Sequence, residues 1–376
     1  MSVVLLVIGL VMFVGLVIVH EFGHFILARR NGVDVEEFGL GFPPRALSKK
    51  MPSGYILSLN WLPLGGFVRL RGEHDSDVGK GSFGAATLWV KTKIIAAGVG
   101  MNLLAAFVLL TILAVVGMPQ VINNQFNIKS DSKTIKQEVL AGYIEPNSPA
   151  SSIGLKSQDQ LTSLTNNKGV VESINNPNNL PSITKKNAGD EVTIGYYASG
   201  KYYSKKVKLR TNAVVQASLK TNNPLGYLGL EPSQYVVKQS TWSAPIVAVG
   251  LMKQMTVLTL KGIGNAIMGL VHGNTTKATS QISGPVGIVV LLKDGSLLGY
   301  QFVLLIVAVI SLSLAIINIL PIPALDGGRL FFTLIPRLFL KRPLTKKTEE
   351  IIHGSGMAAL LTIFVLITIV DVKRYF

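Results

Sequence analysis

Two histidines and a glutamate lie within a single helical turn of an otherwise apolar stretch near the start of the chain. His20, Glu21 and His24 form a His-Glu-x-x-His pattern. Residues four apart on a helix share a face, so both imidazoles can bind one metal ion. Glu21 can then reach a water molecule on that ion and accept its proton. The pattern predicts the centre of a zinc hydrolase.

A histidine in an apolar helix is more often a buried structural residue, and this alternative has to be weighed. Here three ionisable side chains share one turn, and no other charged residue occurs before Arg29. An acidic group costs about 2.5–3.5 kcal/mol at the centre of a membrane helix, so such groups are usually paired or coordinated. Metal binding is therefore the favoured interpretation.

The composition excludes an ordinary soluble enzyme. The 376 residues are 48% hydrophobic, with a mean hydropathy of +0.44. The net charge of +16 comes from basic residues beside the apolar runs, which indicates membrane topology and not a nucleic-acid surface. The chain has no cysteine, so a zinc ion must be bound by His, Asp or Glu.

The apolar runs predict about four transmembrane helices, because a bilayer is spanned by about 20 apolar residues. They cover residues 3–28, 94–116, 299–320 and 356–370. The loop between the first two carries ten Lys or Arg residues, so we expect it in the cytoplasm and the N-terminus outside. His24 lies about 7.5 Å before Arg29 along a helix axis. The metal site is therefore expected inside the membrane, near its cytoplasmic face.

The cytoplasmic loop contains an apolar stretch, residues 55–72, that alternates like a β-strand. It predicts a hairpin with a turn at residues 63–66, and Phe67 opens the returning strand. Such an apolar hairpin either dips into the membrane or forms a small cytoplasmic hairpin, and periodicity does not decide between them.

The middle of the chain, residues 121–238, is polar and predicts a soluble, β-rich domain outside the cytoplasm. Within it we expect a strand, a short helix and a second strand. Ser148 caps that helix, Pro149 begins it and Gly154 ends it.

The third apolar run ends in two prolines followed by an aspartate, Asp326. Asp326 is either the N-cap of a short helix, residues 327–339, or a metal ligand. The order of crossings puts it at the same depth as His24. His20, His24 and Asp326 would then bind one Zn²⁺ per chain, with water as the fourth ligand. The other histidines are expected to be structural: His74, His272 and His353.

Two further features are left open by the residues alone. Asn102 either hydrogen-bonds a neighbouring helix or faces the metal cavity and holds a substrate carbonyl. Residues 243–270 form a helix at the membrane interface in preference to an extra crossing. The predicted division of the chain has four parts. They are a first membrane part (1–120), a soluble domain (121–238), an amphipathic interfacial segment (239–298) and a second membrane part (299–376).

The motifs together resemble the site-2 protease family of intramembrane zinc metalloproteases. They are HEFGH, the Gly-x-x-x-Asn of residues 98–102, and NILPIPALDGG at residues 318–328. PLGGFVRLRGE at residues 63–73 resembles that family's membrane re-entrant β-loop, and SGPVGI at residues 283–288 also matches. The insert resembles a single PDZ domain, which points to the bacterial branch acting on anti-sigma factors. A glycine is usual in that domain where Gln158 stands.

The resemblance implies a fold and a set of roles. The fold is a polytopic α-helical membrane protein with a re-entrant β-hairpin and an inserted PDZ-like domain. Zinc is bound by His20, His24 and Asp326, and Glu21 is the base. Substrate-positioning roles fall to Asn102, Asn318, Gly65, Gly66 and Phe67.

The predicted function is an intramembrane zinc endopeptidase that cuts single-span membrane proteins, such as anti-sigma factors or signal-peptide remnants. Its expected partners are that substrate, the lipid bilayer and an upstream protease of the site-1 type, and no nucleic acid. Its expected location is the bacterial inner membrane, with the PDZ-like domain outside the cytoplasm. A catalytically silent PDZ scaffold is the alternative. A metal transporter would need more polar residues along the spans.

Overall fold

The computed structural model describes residues 2–221, 223–273 and 283–376, which fold as two compact units. A helical unit combines Met1–Leu113 with Ala244–Phe376. A β-rich unit consists of Ala114–Ser243. Residues 274–282 of the predicted interfacial segment lie outside the described residues.

The helices in chain order are α1 (Ser2–Arg30), α2 (Leu88–Val116), α3 (Pro149–Ser152), α4 (Asn179–Lys186), α5 (Asn212–Ser218), α6 (Ala244–Val271), α7 (Pro285–Leu298), α8 (Tyr300–Ile319), α9 (Asp326–Ile335) and α10 (Lys346–Tyr375). The strands are β1 (Val35–Lys50), β2 (Ile56–Leu70), β3 (Met118–Pro119), β4 (Lys133–Ile144), β5 (Gln160–Thr165), β6 (Val171–Ser173), β7 (Glu191–Ala198), β8 (Lys201–Lys208) and β9 (Leu230–Gln239). A π-helical turn, Pro336–Leu340, follows α9.

Five helices of the described chain are long and apolar enough to cross a membrane: α1, α2, α6, α8 and α10. This is one more than the predicted four, and the additional helix is α6, a single helix of 28 residues. The last helix is also longer than its apolar centre, because polar turns extend it to 30 residues.

The strand pairing differs from the predicted hairpin. β2 reverses direction at the expected turn: Leu62 lies beside Phe42, and from Gly66 beside Leu40 the strand runs back along β1. Phe38 has partners on both sides, Val68 and Leu57, so β1 separates the two halves of β2. The Phe67 ring lies over Gly39, where any side chain would collide with it. The missing side chain at position 39 therefore permits this packing.

The SGPVGI motif, residues 283–288, begins α7. The carboxylate of Asp371, on α10, accepts hydrogen bonds of 2.8 Å from the backbone amides of both Gly284 and Gly287. These amides belong to the first turn of α7, where backbone donors lack partners within the helix. Asp371 is fully buried, and it fastens α7 to α10.

A buried ionic cluster ties the loop after β2 to three neighbouring elements. Asp75 is 3% exposed and pairs with Lys91 of α2, which is completely buried. Arg337 also binds the Asp75 carboxylate, with its Nε at 2.6 Å from Oδ2. The Asp75 amide donates to Glu349 at the start of α10. Because an unpaired charge is costly when buried, this loop is held firmly.

In the β-rich unit, the strands follow the order β3-β9-β4-β5-β7-β8, and β6 pairs with β5. Its core is formed by apolar side chains of the central strands, among them Leu161, Leu164 and Ile194. The predicted helix start is confirmed: Ser148 is the N-cap of α3 and accepts from the Ser151 amide, and Gly154 has φ +79°. Gln158 takes φ +74°, a left-handed conformation that favours glycine.

Candidate metal centre

The first two metal-binding side chains stand on adjacent turns of α1. Apart from His20, His24, Glu21 and the arginines of its last turn, this helix is largely apolar. His20 is 8% exposed. The two imidazole rings meet edge to face, with centroids 4.9 Å apart, and their Nε2 atoms lie 3.3 Å from each other.

Asp326 approaches the two imidazoles from the start of α9, directly after a broken segment that follows α8. Two prolines interrupt the helix at residues 320–325, and Ala324 takes φ +74°. Gly328 lies directly against the Ile322 carbonyl, so α9 can begin only where residue 328 has no side chain. The alternative interpretation of Asp326, as the N-cap of this helix, is contradicted. Leu325 is the N-cap, and Asp326 is the first helical residue.

The separations between the three donor atoms match those of a zinc site. The Asp326 Oδ2 atom lies 3.2 Å from Nε2 of His20 and 3.3 Å from Nε2 of His24. Ligands at about 2.0–2.1 Å from a tetrahedral zinc ion are about 3.3–3.4 Å apart. The Asp326 Oδ2 atom is buried and has no hydrogen-bond partner among the described residues. A zinc ion therefore fits the donor set in both spacing and chemistry.

The outer nitrogen of each imidazole has its own neighbour. His24 Nδ1 lies 2.8 Å from the backbone carbonyl of Ile94. Because a carbonyl only accepts, Nδ1 carries the proton, and Nε2 of the neutral ring keeps its lone pair for a metal. His20 Nδ1 lies 3.1 Å from the side-chain amide of Asn102, a residue that is 1% exposed.

Glu21 stands beside the donor atoms and faces β2. A β-carbon on Gly66 would lie 3.1 Å from Cγ of Glu21, so the strand backbone packs directly on this side chain. The backbone amide of Val68 also faces the Glu21 carboxylate. A cavity of about 270 Å³ is lined by Glu21, His24 and Asp326 on one side and by residues 66–70 on the other.

The residues predicted to position a substrate lie on three elements, β2, α8 and α2. Gly66 and Phe67 line the cavity, and Gly65 precedes them with φ +90°. Asn318 is half-buried in the last turn of α8, before the broken segment. Asn102 contacts His20, and its backbone carbonyl accepts a hydrogen bond of 2.8 Å from Ser311 on α8.

One residue at the site was predicted to be only structural. His353, on α10, accepts a hydrogen bond of 3.2 Å from the Ala324 amide through Nδ1. This bond supports the strained residue two positions before Asp326. No local pattern marks His353, because it lies 29 residues from its partner.

Comparison with known proteins supports the same chemistry. The model of peptidase family M50 matches residues 8–363. A predicted zinc metalloprotease of Clostridium acetobutylicum is 31% identical over 98% of this chain and 97% of its own length. Another, from Clostridium perfringens, is 27% identical over 98% of both chains. RasP of Bacillus subtilis, named a regulator of sigma-W protease, is 26% identical over 98% of both chains.

Proposed function

The chain belongs to peptidase family M50 and is a multi-pass membrane zinc metalloprotease, and from this premise we propose which residues perform the cleavage and on what. In this proposal His20, His24 and Asp326 bind the zinc ion and Glu21 is the general base. The substrate is the membrane segment of a single-span protein. The observation that carries the proposal is the spacing of 3.2–3.3 Å among three donor atoms, two from the apolar helix α1 and one from the first residue of α9.

The chain's own residues supply proton transfer and positioning. Zinc, when bound, acts as a Lewis acid that makes water a stronger nucleophile at neutral pH. Glu21 accepts a proton from the attacking water and later gives it to the leaving amine. Its place between the donor atoms and the β2 backbone allows both transfers at one carboxylate.

The substrate segment must be extended before it can be cut, because a helix hides each carbonyl in a hydrogen bond. Residues 66–70 of β2 pair with β1 and also line the cavity. We propose that this strand binds the extended substrate by strand addition, in the manner of a re-entrant β-hairpin. Gly66 lets the substrate backbone come close to Glu21, and Asn318 positions the substrate carbonyl.

The direction of the crossings supports an interfacial position for α6. His24 lies in the last third of α1, and it contacts Asp326, which follows the C-terminal end of α8, so in this proposal both helices cross in the same direction. If α6 also crossed the membrane completely, α8 would have to cross in the direction opposite to α1. The 14 residues of α7 measure about 21 Å, too short to cross back through a core of about 30 Å. We therefore propose that α6 lies along the membrane surface.

The β-rich unit is, in this proposal, a PDZ-like domain outside the cytoplasm, and the metal site lies near the cytoplasmic face of the cell membrane. We propose that this PDZ-like domain comprises residues 121–238. RasP carries the name of a sigma-W regulator protease, which favours anti-sigma-type substrates for this chain also. An upstream protease would remove their outer domains first.

Incubation of the purified protein with a single-span test substrate tests the proposal. Glu21→Gln should keep one zinc ion per chain and lose about 10²–10⁴-fold in cleavage rate. Glu36→Gln, on the exposed face of β1, is the matched control and should cut normally. Removal of zinc with a chelator should abolish cleavage. Cleavage at the native rate by Glu21→Gln, or by zinc-free protein, would contradict the assigned roles.

A further inference from the structure

Both defined residues of the Gly-x-x-x-Asn sequence on α2, Gly98 and Asn102, lie against the metal centre. Gly98 faces the two imidazoles, and Asn102, one turn later, contacts Nδ1 of His20 at 3.1 Å. Asn102 is 1% exposed, which leaves its side chain little access to a substrate. The contact with His20 is the one hydrogen bond that its amide makes among the described residues.

The orientation of this amide decides whether His20 can bind a metal. If the amide nitrogen donates to Nδ1, the proton of neutral His20 must sit on Nε2, where it blocks a metal ion. If the amide is turned by 180°, Oδ1 accepts a proton from Nδ1 and Nε2 keeps its lone pair. The two arrangements occupy the same space.

Two observations favour the second arrangement. Oδ1 of Asn102 is buried and lacks a hydrogen-bond partner when the nitrogen faces His20, and the turn gives it one. In addition, Nε2 of His20 lies 3.2 Å from the Asp326 carboxylate and 3.3 Å from Nε2 of His24, the positions that a shared metal ion requires.

We propose that Asn102 is a positioning residue for the metal centre, whose side-chain oxygen accepts the Nδ1 proton of His20 and holds its Nε2 toward the zinc ion. The inference rests on the proposed ligand set. Asn102 then serves His20 as the Ile94 carbonyl serves His24, so each imidazole has an acceptor on α2. Its effect on the substrate passes through His20.

Zinc affinity of the full-length protein in lipid nanodiscs tests this inference, measured by competition with a chromophoric chelator. Asn102→Leu keeps the size of the side chain but removes the acceptor, and it should weaken zinc binding about 10–100-fold. Asn102→Asp keeps an acceptor and should retain zinc within a few fold of the native protein. Ser311→Ala, which removes a hydrogen bond to the Asn102 backbone, is the packing control and should bind zinc normally.

The outcomes separate this inference from the function on which it rests. Native binding by Asn102→Leu, or equal loss by Asn102→Asp and Asn102→Leu, would overturn the acceptor role while the zinc site stands. A native protein that retains no zinc would overturn the ligand set itself.

A second measurement reads the position of the His20 proton in the native chain, and a variant serves only to assign the signals. The chain has five histidines, so ¹⁵N spectra of histidine-labelled, chelator-treated protein are simple, and the His20 signals can be assigned by their loss in His20→Gln. Neutral His20 should carry its proton on Nδ1. A proton on Nε2 would contradict the inference.

Discussion

Gly98 lies so close to His20 that a β-carbon at position 98 would stand 2.7 Å from the imidazole Nε2. Such an atom would also overlap Nε2 of His24. The backbone of α2 therefore forms one wall of the metal centre. Glycine at this position allows two helices and a metal ion to share a space that any side chain would fill.

Gly98→Ala should consequently weaken zinc binding. The methyl group would occupy the place of the ligand nitrogens, and we expect zinc binding to fall at least about 10-fold, with cleavage lost in proportion. Gly100→Ala is the matched control, because a β-carbon there has no atom within 4 Å. Zinc content and cleavage rate, measured for both variants, check the prediction. Normal zinc content in Gly98→Ala would contradict it.

His353→Phe should loosen the segment that carries Asp326. The substitution leaves the partly buried Ala324 amide without its acceptor, and an unpaired amide costs up to about 1–3 kcal/mol when it is fully buried. We expect a lower thermal midpoint and a faster release of zinc. His272→Phe is the control, since His272 is exposed and its Nδ1 contacts a carbonyl of its own helix. Equal zinc release in the two variants would show that the His353 bond has no role in the site.

The strand-addition proposal predicts a specific cross-link. The chain has no cysteine, so Val68→Cys introduces a single thiol on the strand that lines the cavity. A test substrate with one cysteine near its scissile bond should form a disulfide with this variant when Glu21 is also replaced by Gln. Leu47→Cys, on the exposed outer part of β1, is the control. Equal cross-linking at both positions would argue against binding along residues 66–70.

In the β-rich unit, Asp131 links the start of the domain to its end. Its carboxylate accepts hydrogen bonds from the side chains and backbone amides of Ser243 and Thr241. The Ser243 hydroxyl, and after it the Thr241 hydroxyl, lower the pKa of Asp131 below its ordinary value of 3.8. Because the folded pKa is depressed, the stabilisation is present above pH 3.8 and is lost as the pH falls through the folded pKa.

A double-mutant cycle between Asp131→Asn and Ser243→Ala measures this link in the full-length protein. The coupling in unfolding free energy should be favourable at pH 7 and should decline only below about pH 4. Additive effects of the two substitutions at pH 7 would contradict the prediction.

The donor residues of the site were accessible to sequence reasoning because two simple rules apply to them. The spacing of His20 and His24 is local, and it fixes a shared face on any helix. Asp326 is distant in the chain, but counting the crossings places it at the depth of His24. The structure brings these three side chains together, and their role as ligands stays a prediction until zinc is measured.

Other features depend on contacts that no local pattern reveals. The partner of β2 is β1 because Gly39 lets Phe67 lie across it, and a two-residue alternation carries no information about its partner. The neighbour of Asn102 depends on how α2 is rotated against α1. A carboxylate at the start of a helix suits an N-cap as well as a metal ligand, so the sequence offered both interpretations of Asp326, and only the position of the imidazoles decides between them.

The position of Asp326 in the chain also affects the order in which the site is assembled. It is synthesised about 300 residues after His24, beyond the whole β-rich unit and the whole of α8. A nascent chain that has inserted only its first helices therefore holds two of the three donors. On the proposed ligand set, the third donor joins the site only after α8 has been synthesised.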